Sequence, residues 1–395
     1  MKKKVLLVID SLHSGGAEKS LVSLLSLFDY ENYDVDLLTF KQGGLYIPLL
    51  SKNVTLINSP DIFSKMELSI SNLIKSKDYK IVLWRVNTSI SLRVKFKITN
   101  IKHRAQLMWT RLDNVIPKLE EEYDVAIAYS QGTPTYYIAE KVSAKKKLCW
   151  VNIDYKFAGY NRNFDFKYYE KFNNIVAVSN VCTEVLKDVF PEFKDKIITI
   201  YDIISENLIK DMANEGQGFV DDYRGIKILT IGRLVYQKGY EYAIEAAKYL
   251  KDKNIDFRWY SIGEGNLKSE LEKMVKDYNL QDNFKFLGIF TNPYPFIKEC
   301  DIYCQPSRFE GFGLAIAEAR ILNKPIVATN FDIVHDQIRD GENGLIAQMN
   351  GYDLGAKIKL IIESDKLRNK IIDRLQSEDI GTEKEIQKVY EIIGN

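Results

Sequence analysis

The sequence has 395 residues, of which 46% are hydrophobic and 28% charged, and its formal net charge is +1. This length predicts two domains, and the lack of any uncharged apolar stretch of about 18 residues argues against a transmembrane helix. The four cysteines, with one C-x3-C pair, and the three scattered histidines favour reduced thiols in a cytoplasmic protein over a zinc site or a histidine-centred triad.

The first half of the chain alternates apolar strands with helical segments. It opens with a strand at 4–9, a turn at Gly15 and Gly16, and an amphipathic helix from about 17 to 28. Further strands are predicted at 34–40, 54–57, 124–129, 147–152, 174–179 and 196–201. Parallel strands need helical crossovers, so this alternation predicts a parallel α/β sheet.

The pattern restarts after a polar, glycine-bearing segment at 209–224, which is the best linker candidate. Strands are predicted at 227–232, 256–263, 284–288, 300–306 and 325–330, with a helix at 313–322. Two tandem α/β units predict a doubled Rossmann-like architecture with a ligand cleft between the units. We expect domains at 1–205 and 206–375, with a C-terminal helix at about 376–395 available to pack back on the first.

Positive charge is concentrated at 62–111, where 11 basic residues accompany only Glu67 and Asp78. The mixture of basic, aliphatic and aromatic residues is typical of a segment that lies on an anionic membrane surface. The alternative is a solvated basic face, and nucleic acid is disfavoured because no recognised binding motif accompanies the charge. The candidate membrane-surface residues are Arg93, Lys95, Lys97, Lys102 and Arg104.

Glycines recur where the predicted strands end. Gly15 and Gly16 follow the first strand and its loop, Gly232 follows the strand that opens the second half, and Gly263 and Gly265 follow the next. Glycine at such positions lets the backbone approach a ligand and lets a following helix offer its amides to a phosphate. Their repetition predicts a nucleotide site.

The segment GRLVYQKGY places Arg233 directly after a strand-terminal glycine and Lys238 just before a predicted helix. Two cations at the end of a strand suit a diphosphate, whose charge must be neutralised in a partly dry site. The alternative is that both are solvated surface residues. A cation at a helix N-terminus is disfavoured by the helix dipole, so Lys238 fits that alternative poorly.

The segment SRFEGFGLAIAE carries two glutamates, Glu310 and Glu318, around a glycine turn. Their eight-residue separation is a rise of about 12 Å along a helix, comparable to the distance between the hexose and the ribose of a nucleotide sugar. Carboxylates bind sugar diols because both oxygens accept hydrogen bonds. The alternative is that Glu310 caps the helix and Glu318 is exposed, but the residues around Glu318 are apolar.

Together, four segments resemble family 4 retaining glycosyltransferases of the GT-B fold, similar to enzymes that build bacterial surface polysaccharides. They are GRLVYQKG (232–239), GEG (263–265), QPSRFEGFGLAIAEA (305–319), which contains E-x7-E, and DGENGLI (340–346). The N-terminal SLHSGGAEKSLVSL also resembles the Gly-Gly opening of this family. The resemblance implies two Rossmann-like domains that face each other across a cleft.

The resemblance also implies roles for individual residues. Arg233 and Lys238 would hold the donor diphosphate, while Glu310 would contact sugar hydroxyls. The implied donor-binding residues are Glu318, which would bind the ribose, with Gly311, Phe312, Gly313, Leu314, Gly232, Gly263 and Gly265. The implied co-substrate is a nucleotide-diphosphate sugar in which the nucleotide is UDP, and no metal or other cofactor is expected. The acceptor would be a glycan. If the basic segment binds the inner membrane leaflet, that glycan would be linked to a lipid diphosphate.

Two departures from the family pattern affect the acceptor side. Asn152 in WVNID replaces a histidine of many relatives and cannot act as an acid or base, and IYDII (200–204) lacks a proline. Gly15, Gly16, Asn152 and Asp154 are therefore candidates for the acceptor or reacting-centre loop. The alternatives are a nucleotide-sugar epimerase of the same fold, a non-catalytic subunit of a glycosyltransferase complex, and a transferase with a soluble acceptor.

Overall fold

The computed structural model describes residues 2–13, 15–75, 77, 79, 81–88, 101 and 103–394. The chain forms two units: Met1–Ile203 with Lys384–Asn395, and Ile204–Glu383. The division after Ile203 lies two residues before the predicted boundary. The linker prediction at 209–224 is wrong, because this segment belongs to the second unit and begins within the helix Glu206–Ala213.

The first unit contains a seven-stranded parallel sheet in the order β3-β2-β1-β4-β5-β6-β7. Its strands are β1 Lys3–Ile9, β2 Tyr33–Thr39, β3 Val54–Ile57, β4 Glu122–Ala128, β5 Ser143–Val151, β6 Asn174–Ala177 and β7 Ile197–Thr199. Helices connect them at Gly16–Ser26, Asp61–Glu67, Ile70–Lys75, Arg104–Leu112, Thr133–Lys141, Arg162–Tyr169 and Asn180–Val189. Residues 81–88 are also helical.

The second unit contains a six-stranded parallel sheet in the order β10-β9-β8-β11-β12-β13. Its strands are β8 Ile226–Ile231, β9 Phe257–Ile262, β10 Phe284–Gly288, β11 Ile302–Gln305, β12 Ile326–Thr329 and β13 Leu345–Ala347. The helices are Glu206–Ala213, Tyr240–Asp252, Lys268–Asp277, Tyr294–Glu299, Leu314–Ile321, Val334–Gln337, Gly351–Glu363 and Asp365–Gln376.

The order of the strands defines one switch point in each sheet. The chain moves outward from β1 through β2 to β3 and then returns to the other side of β1 with β4. In the second unit it moves from β8 through β9 to β10 and returns beside β8 with β11. Ligands of open parallel sheets bind at the carboxyl ends of the strands at such points.

The buried faces of the two sheets explain why these segments form strands. Val5–Ile9 in β1 and Ile302–Gln305 in β11 are buried along their length, as expected for parallel strands covered by helices on both faces. The four cysteines are free and buried. Among the described residues, no helix combines the length and the apolar character needed to cross a bilayer.

The C-terminal helix Ile386–Gly394 belongs to the first unit. Tyr390 stacks on Tyr33 with ring centroids 5.7 Å apart, and its hydroxyl accepts a hydrogen bond from the Asp29 amide at 2.8 Å. The predicted single helix at 376–395 is wrong in its first part, because the preceding helix ends at Gln376 and the chain rejoins the first unit only at Lys384.

Candidate functional site

Glycines bring the loops after β8 and β9 into backbone contact in the second unit. A Cβ atom on Gly263, whose φ is +149°, would lie 1.9 Å from the Gly232 carbonyl oxygen. A Cβ on Gly265 would lie 2.2 Å from the Leu234 carbonyl oxygen. Only glycine fits either position, so the predicted glycines allow the two strand-end loops to pack closely beside the switch point.

The turn Tyr236–Lys238 is fixed to the segment that carries the first glutamate of the E-x7-E motif. The Arg308 amide donates to the Gln237 carbonyl at 2.8 Å, and the Gln237 side chain donates to the Phe309 carbonyl at 3.0 Å. These bonds connect the loop after β8 with the loop after β11. Two segments that lie some 70 residues apart in sequence therefore meet at the switch point.

Lys238 and Glu310 form an ion pair at this point, with Lys238 Nζ 2.6 Å from Glu310 Oε1. Only 16% of the lysine side chain and 8% of the glutamate side chain are exposed. Two further groups donate to the same oxygen: Ser307 Oγ at 2.6 Å and Gln305 Nε2 at 3.1 Å. The alternative of a solvated Lys238 is therefore wrong.

The orientation of these donors is fixed in turn by buried neighbours. Tyr303 donates through its hydroxyl to Gln305 Oε1 at 2.7 Å, which leaves the Gln305 nitrogen directed at Ser307 and Glu310. Among the described residues, no donor contacts the other carboxylate oxygen of Glu310. A carboxylate that is saturated at one oxygen and open at the other is suited to accept from a ligand hydroxyl.

Arg233 differs from Lys238 in its surroundings. It lies directly after Gly232 at the end of β8, its side chain is exposed, and it forms no ion pair within the part of the chain that the structure describes. An exposed guanidinium beside a largely buried ammonium provides two cations near one strand end, of which only Lys238 is already paired.

The helix Leu314–Ile321 begins after Gly313, which has a φ of +81° and provides no side-chain cap. Gln337 donates to the carbonyls of Phe312 and Gly313 and so holds this turn. Gly311 and Phe312 are buried, whereas Gly313 and Leu314 are partly exposed. The start of this helix lies directly beyond Glu310 and carries the partial positive charge of a helix N-terminus.

Glu318 is buried on this helix, with 3% of its surface exposed. Tyr294, which begins the helix Tyr294–Glu299, donates through its hydroxyl to Glu318 Oε1 at 3.0 Å. The alternative that Glu318 is exposed on the wet face of the helix is therefore wrong. A buried carboxylate held by a tyrosine hydroxyl has a defined direction, as a ligand-binding group requires.

The predicted residues of the first unit lie in its loops. Gly15 has extended backbone and precedes the helix that starts at Gly16. Asn152 directs its side-chain amide to the Tyr129 carbonyl at 3.2 Å, so its nitrogen holds the end of β4. Asp154 is buried and accepts from the Lys156 amide at 2.9 Å, which shapes the loop after β5.

The basic segment is only partly described. Arg93, Lys95, Lys97 and Lys102 lie outside the described residues. Arg104 is exposed and begins the helix Arg104–Leu112. Gln106 fixes this helix to the first unit, because its amide donates to buried Asp165 at 2.7 Å.

Three buried side chains that hold the two glutamates were not predicted from the sequence: Gln305, Ser307 and Tyr294. A signal for Ser307 existed, since it precedes Glu310 by three residues, the spacing at which side chains around a turn meet. No comparable signal marked Tyr294, which lies 24 residues before Glu318.

Residues 220–377 match the family described as glycosyl transferases group 1. An uncharacterized glycosyltransferase of Methanocaldococcus jannaschii is 31% identical over 207 residues, which are 51% of this chain and 54% of the relative. An N-acetylgalactosamine-N,N'-diacetylbacillosaminyl-diphospho-undecaprenol 4-alpha-N-acetylgalactosaminyltransferase of Campylobacter jejuni is 32% identical over 162 residues, 40% of this chain and 44% of the relative.

The match thus spans about half the length of these curated relatives. Among solved structures, Anabaena Alr3699/HepE in complex with UDP-glucose superposes with a TM-score of 0.71 and 16% identity, over 99% of both chains. This likeness shows the fold, which is GT-B with two Rossmann-like domains.

Proposed function

We propose that this chain is a retaining glycosyltransferase, because residues 220–377 match the glycosyl transferases group 1 family. It transfers a hexose or N-acetylhexosamine from a UDP-linked sugar to a growing glycan in the assembly of bacterial surface polysaccharide or glycoconjugate. The observation that carries the proposal is the pairing of Lys238 with one oxygen of Glu310 while the other oxygen stays open.

In this proposal the second unit binds the donor. Arg233 and Lys238 neutralise the diphosphate, together with the N-terminus of the helix Leu314–Ile321. The open oxygen of Glu310 accepts from hydroxyls of the transferred sugar, and Glu318 accepts from the ribose. Charge that grows on the departing diphosphate meets cations already in place, so the site favours the transition state over the ground state.

We propose the following bond changes for this reaction. The acceptor hydroxyl attacks the anomeric carbon on the face from which UDP leaves, the bond between that carbon and the phosphate oxygen breaks, and the hydroxyl proton passes to the departing phosphate. Retention then needs no protein nucleophile and no pair of carboxylates of the glycosidase type. We further propose that the two cations and the helix N-terminus make a metal ion unnecessary, so activity should persist in EDTA.

A lipid-diphosphate-linked acceptor at a membrane surface is the finer part of the proposal. The Campylobacter jejuni relative is named for an acceptor built on diphospho-undecaprenol. In this chain the first unit exposes apolar side chains along its basic segment: Ile74, Leu83 and Val86 are 47%, 74% and 42% exposed. Exposed apolar groups among cations fit the interface of an anionic bilayer.

Liposome flotation tests the membrane part. The protein should float with vesicles of anionic lipid in low salt and less with neutral vesicles. Leu83→Glu should reduce flotation, whereas Leu360→Glu, at an exposed leucine of the second unit, should not. Absence of binding to anionic vesicles in low salt would refute a membrane role and favour a soluble acceptor.

A panel of nucleotide sugars tests the enzymatic part. UDP and one UDP-hexose should raise the melting temperature, and transfer to a glycan acceptor should be abolished by Glu310→Ala but not by Glu342→Gln, at an exposed glutamate. Conversion of the free donor without transfer would instead indicate an epimerase. A protein that binds no nucleotide sugar would indicate a non-catalytic subunit.

A further inference from the structure

The switch point of the first unit also brings two polar side chains together. Asp10 directly follows β1 and Ser130 lies two residues beyond the end of β4, so both stand at the carboxyl ends of the central strands. Ser130 Oγ donates to Asp10 Oδ2 at 3.4 Å. This pair occupies the place in the first sheet that Lys238 and Glu310 occupy in the second.

The carboxyl group of Asp10 is available to a ligand. The residue is exposed, and among the described residues its Oδ1 atom has no hydrogen-bond partner. Its backbone is fixed, because the Asp10 carbonyl accepts from the Lys41 amide at 3.0 Å. Ser130 is buried. Its hydroxyl contacts Asp10 Oδ2 from the protein interior and leaves Asp10 Oδ1 open.

The nitrogen atoms of the neighbouring Asn152 are engaged, whereas its Oδ1 atom is buried without a hydrogen-bond partner among the described residues. The Gln131 side chain accepts from the Asn152 amide at 3.0 Å, and Asn152 donates to the Tyr129 carbonyl. Tyr160 is hydrogen-bonded to Gln131. Asn152, which the sequence predicted for the acceptor side, therefore supports the edge of the sheet through its nitrogens, and its Oδ1 atom is buried, whereas Asp10 is exposed and presents an open acceptor atom to solvent.

The charges around Asp10 decide which ligand fits. The pKa of Asp10 is raised to about 7, mainly because the surrounding protein restricts the hydration of its carboxyl group. The negative charge of Glu18 also raises this pKa, whereas the hydrogen bond from Ser130 and the positive charge of Lys41 lower it. An acidic group flanked by a second carboxylate repels a phosphate. This environment disfavours the phosphate of an acceptor and suits a neutral hydroxyl.

We propose that Asp10 binds the attacking hydroxyl of the acceptor through its open oxygen and that Ser130 is the positioning residue for its carboxylate. This inference rests on the proposed glycosyltransferase function and assigns the acceptor subsite, whose ligand class is a sugar or polyol hydroxyl. The hydrogen bond from the hydroxyl to the carboxylate orients the oxygen for attack. Asp10 takes no part in donor binding.

Steady-state kinetics, with the concentrations of donor and acceptor varied separately, test the assignment of Asp10 to the acceptor subsite. Asp10→Asn should lower kcat/KM for the acceptor by about 10- to 100-fold, the loss expected for a hydrogen bond to a charged group, while the KM for the donor and the thermal shift with UDP stay unchanged. Ser130→Ala should lower the same parameter by a few-fold. Asp34→Asn, at an exposed aspartate near the start of β2, is the matched control.

A pH profile separates binding from a purely structural role. In the wild type, kcat/KM for the acceptor should fall as the pH drops below about 7, and Asp10→Asn should lose this limb. If the acceptor kinetics of Asp10→Asn are unchanged, the inference is overturned. If Asp10→Asn does not fold, unchanged acceptor kinetics of Ser130→Ala overturn it. Failure of the wild type to bind UDP or transfer any sugar would overturn the proposed function instead.

Discussion

Lys238 Nζ lies 2.6 Å from Glu310 Oε1, with both side chains largely buried. The cation proposed to neutralise the donor diphosphate therefore also neutralises the carboxylate proposed to hold the donor sugar. Ser307 and Gln305 donate to the same oxygen, so the orientation of Glu310 does not depend on Lys238 alone. Lys238 can turn toward a diphosphate while two neutral donors keep the carboxylate in place.

This arrangement predicts that charge at Glu310 matters for turnover more than for nucleotide binding. Glu310→Gln keeps the volume of the side chain but removes the charge, and we expect transfer to fall by about 10²- to 10³-fold. Affinity for UDP should stay the same or rise, because Lys238 loses its competing partner. Steady-state kinetics and calorimetric titration with UDP measure the two effects, and a matching loss of UDP affinity would contradict the assignment.

The two cations should differ in their effect on stability. Lys238→Met leaves the Glu310 carboxylate buried without its counter-charge, which should lower the free energy of unfolding by about 3 kcal/mol. Arg233→Met, at an exposed residue, should change it by less than about 0.5 kcal/mol.

Both cation variants should nevertheless bind UDP more weakly. Urea unfolding with and without UDP compares them directly. Equal stability of the two variants would show that the Lys238–Glu310 pair contributes little to the fold.

Gly239, which directly follows Lys238, should not tolerate replacement by alanine. Its φ is +59°, and a Cβ atom would lie 2.1 Å from the Pro306 carbonyl oxygen, so Gly239→Ala combines backbone strain with a collision against rigid backbone. Gly216 also has a positive φ, +89°, but an open surrounding. Gly216→Ala should therefore cost only the strain, about 1 kcal/mol.

Thermal unfolding of the two alanine variants separates these effects. We expect Gly239→Ala to melt well below Gly216→Ala and to lose transfer activity, since Lys238 immediately precedes Gly239. Similar melting temperatures would mean that the loop moves to accommodate the methyl group.

The donor site shows which features are predictable from sequence. Strand-end glycines, the spacing of Arg233 and Lys238, and the apolar surroundings of Glu318 are local patterns, and they are the basis on which a nucleotide site is predicted. The pairing of Lys238 with Glu310 was not predictable, because the two residues meet only through the adjacency of β8 and β11. That adjacency depends on strand order, which local periodicity does not encode.

The two boundary errors have compositional causes. The segment 209–224 is polar and rich in glycine, and this composition concealed the end of an amphipathic helix whose buried side chains are Ile209 and Ala213. At the C-terminus, the helix predicted at about 376–395 begins too early, because residues 377–382 are not helical and the helix begins at Ile386. In both places the prediction followed local composition, whereas the helix boundaries depend on which side chains are buried in the folded unit.

A buried chain of hydroxyl and carboxyl groups, Tyr129, Ser20 and Asp202, lies beneath the helix Gly16–Ser26. The Ser20 and Tyr129 hydroxyls are 2.9 Å apart, and Ser20 hydrogen-bonds to Asp202. Burial raises the pKa of Asp202 to about 7, and the bond from Ser20 opposes that shift. Asp202 directly precedes the boundary residue Ile203.

The raised pKa gives a signed pH dependence. An unfolded aspartate releases its proton near pH 3.9, whereas folded Asp202 keeps it until about pH 7. The folded state binds more protons between these values, so this group lowers the free energy of unfolding as the pH rises through that window and adds no slope above it.

Asp202→Asn removes this contribution. Relative to the wild type, the variant should gain stability steadily from about pH 4 to pH 7, by about 4 kcal/mol in total. Asp10, whose pKa is also raised to about 7, is present in both proteins and cancels in the difference. Urea unfolding at several pH values gives that difference, and parallel profiles for the two proteins would show that Asp202 is already ionised in the fold at acidic pH.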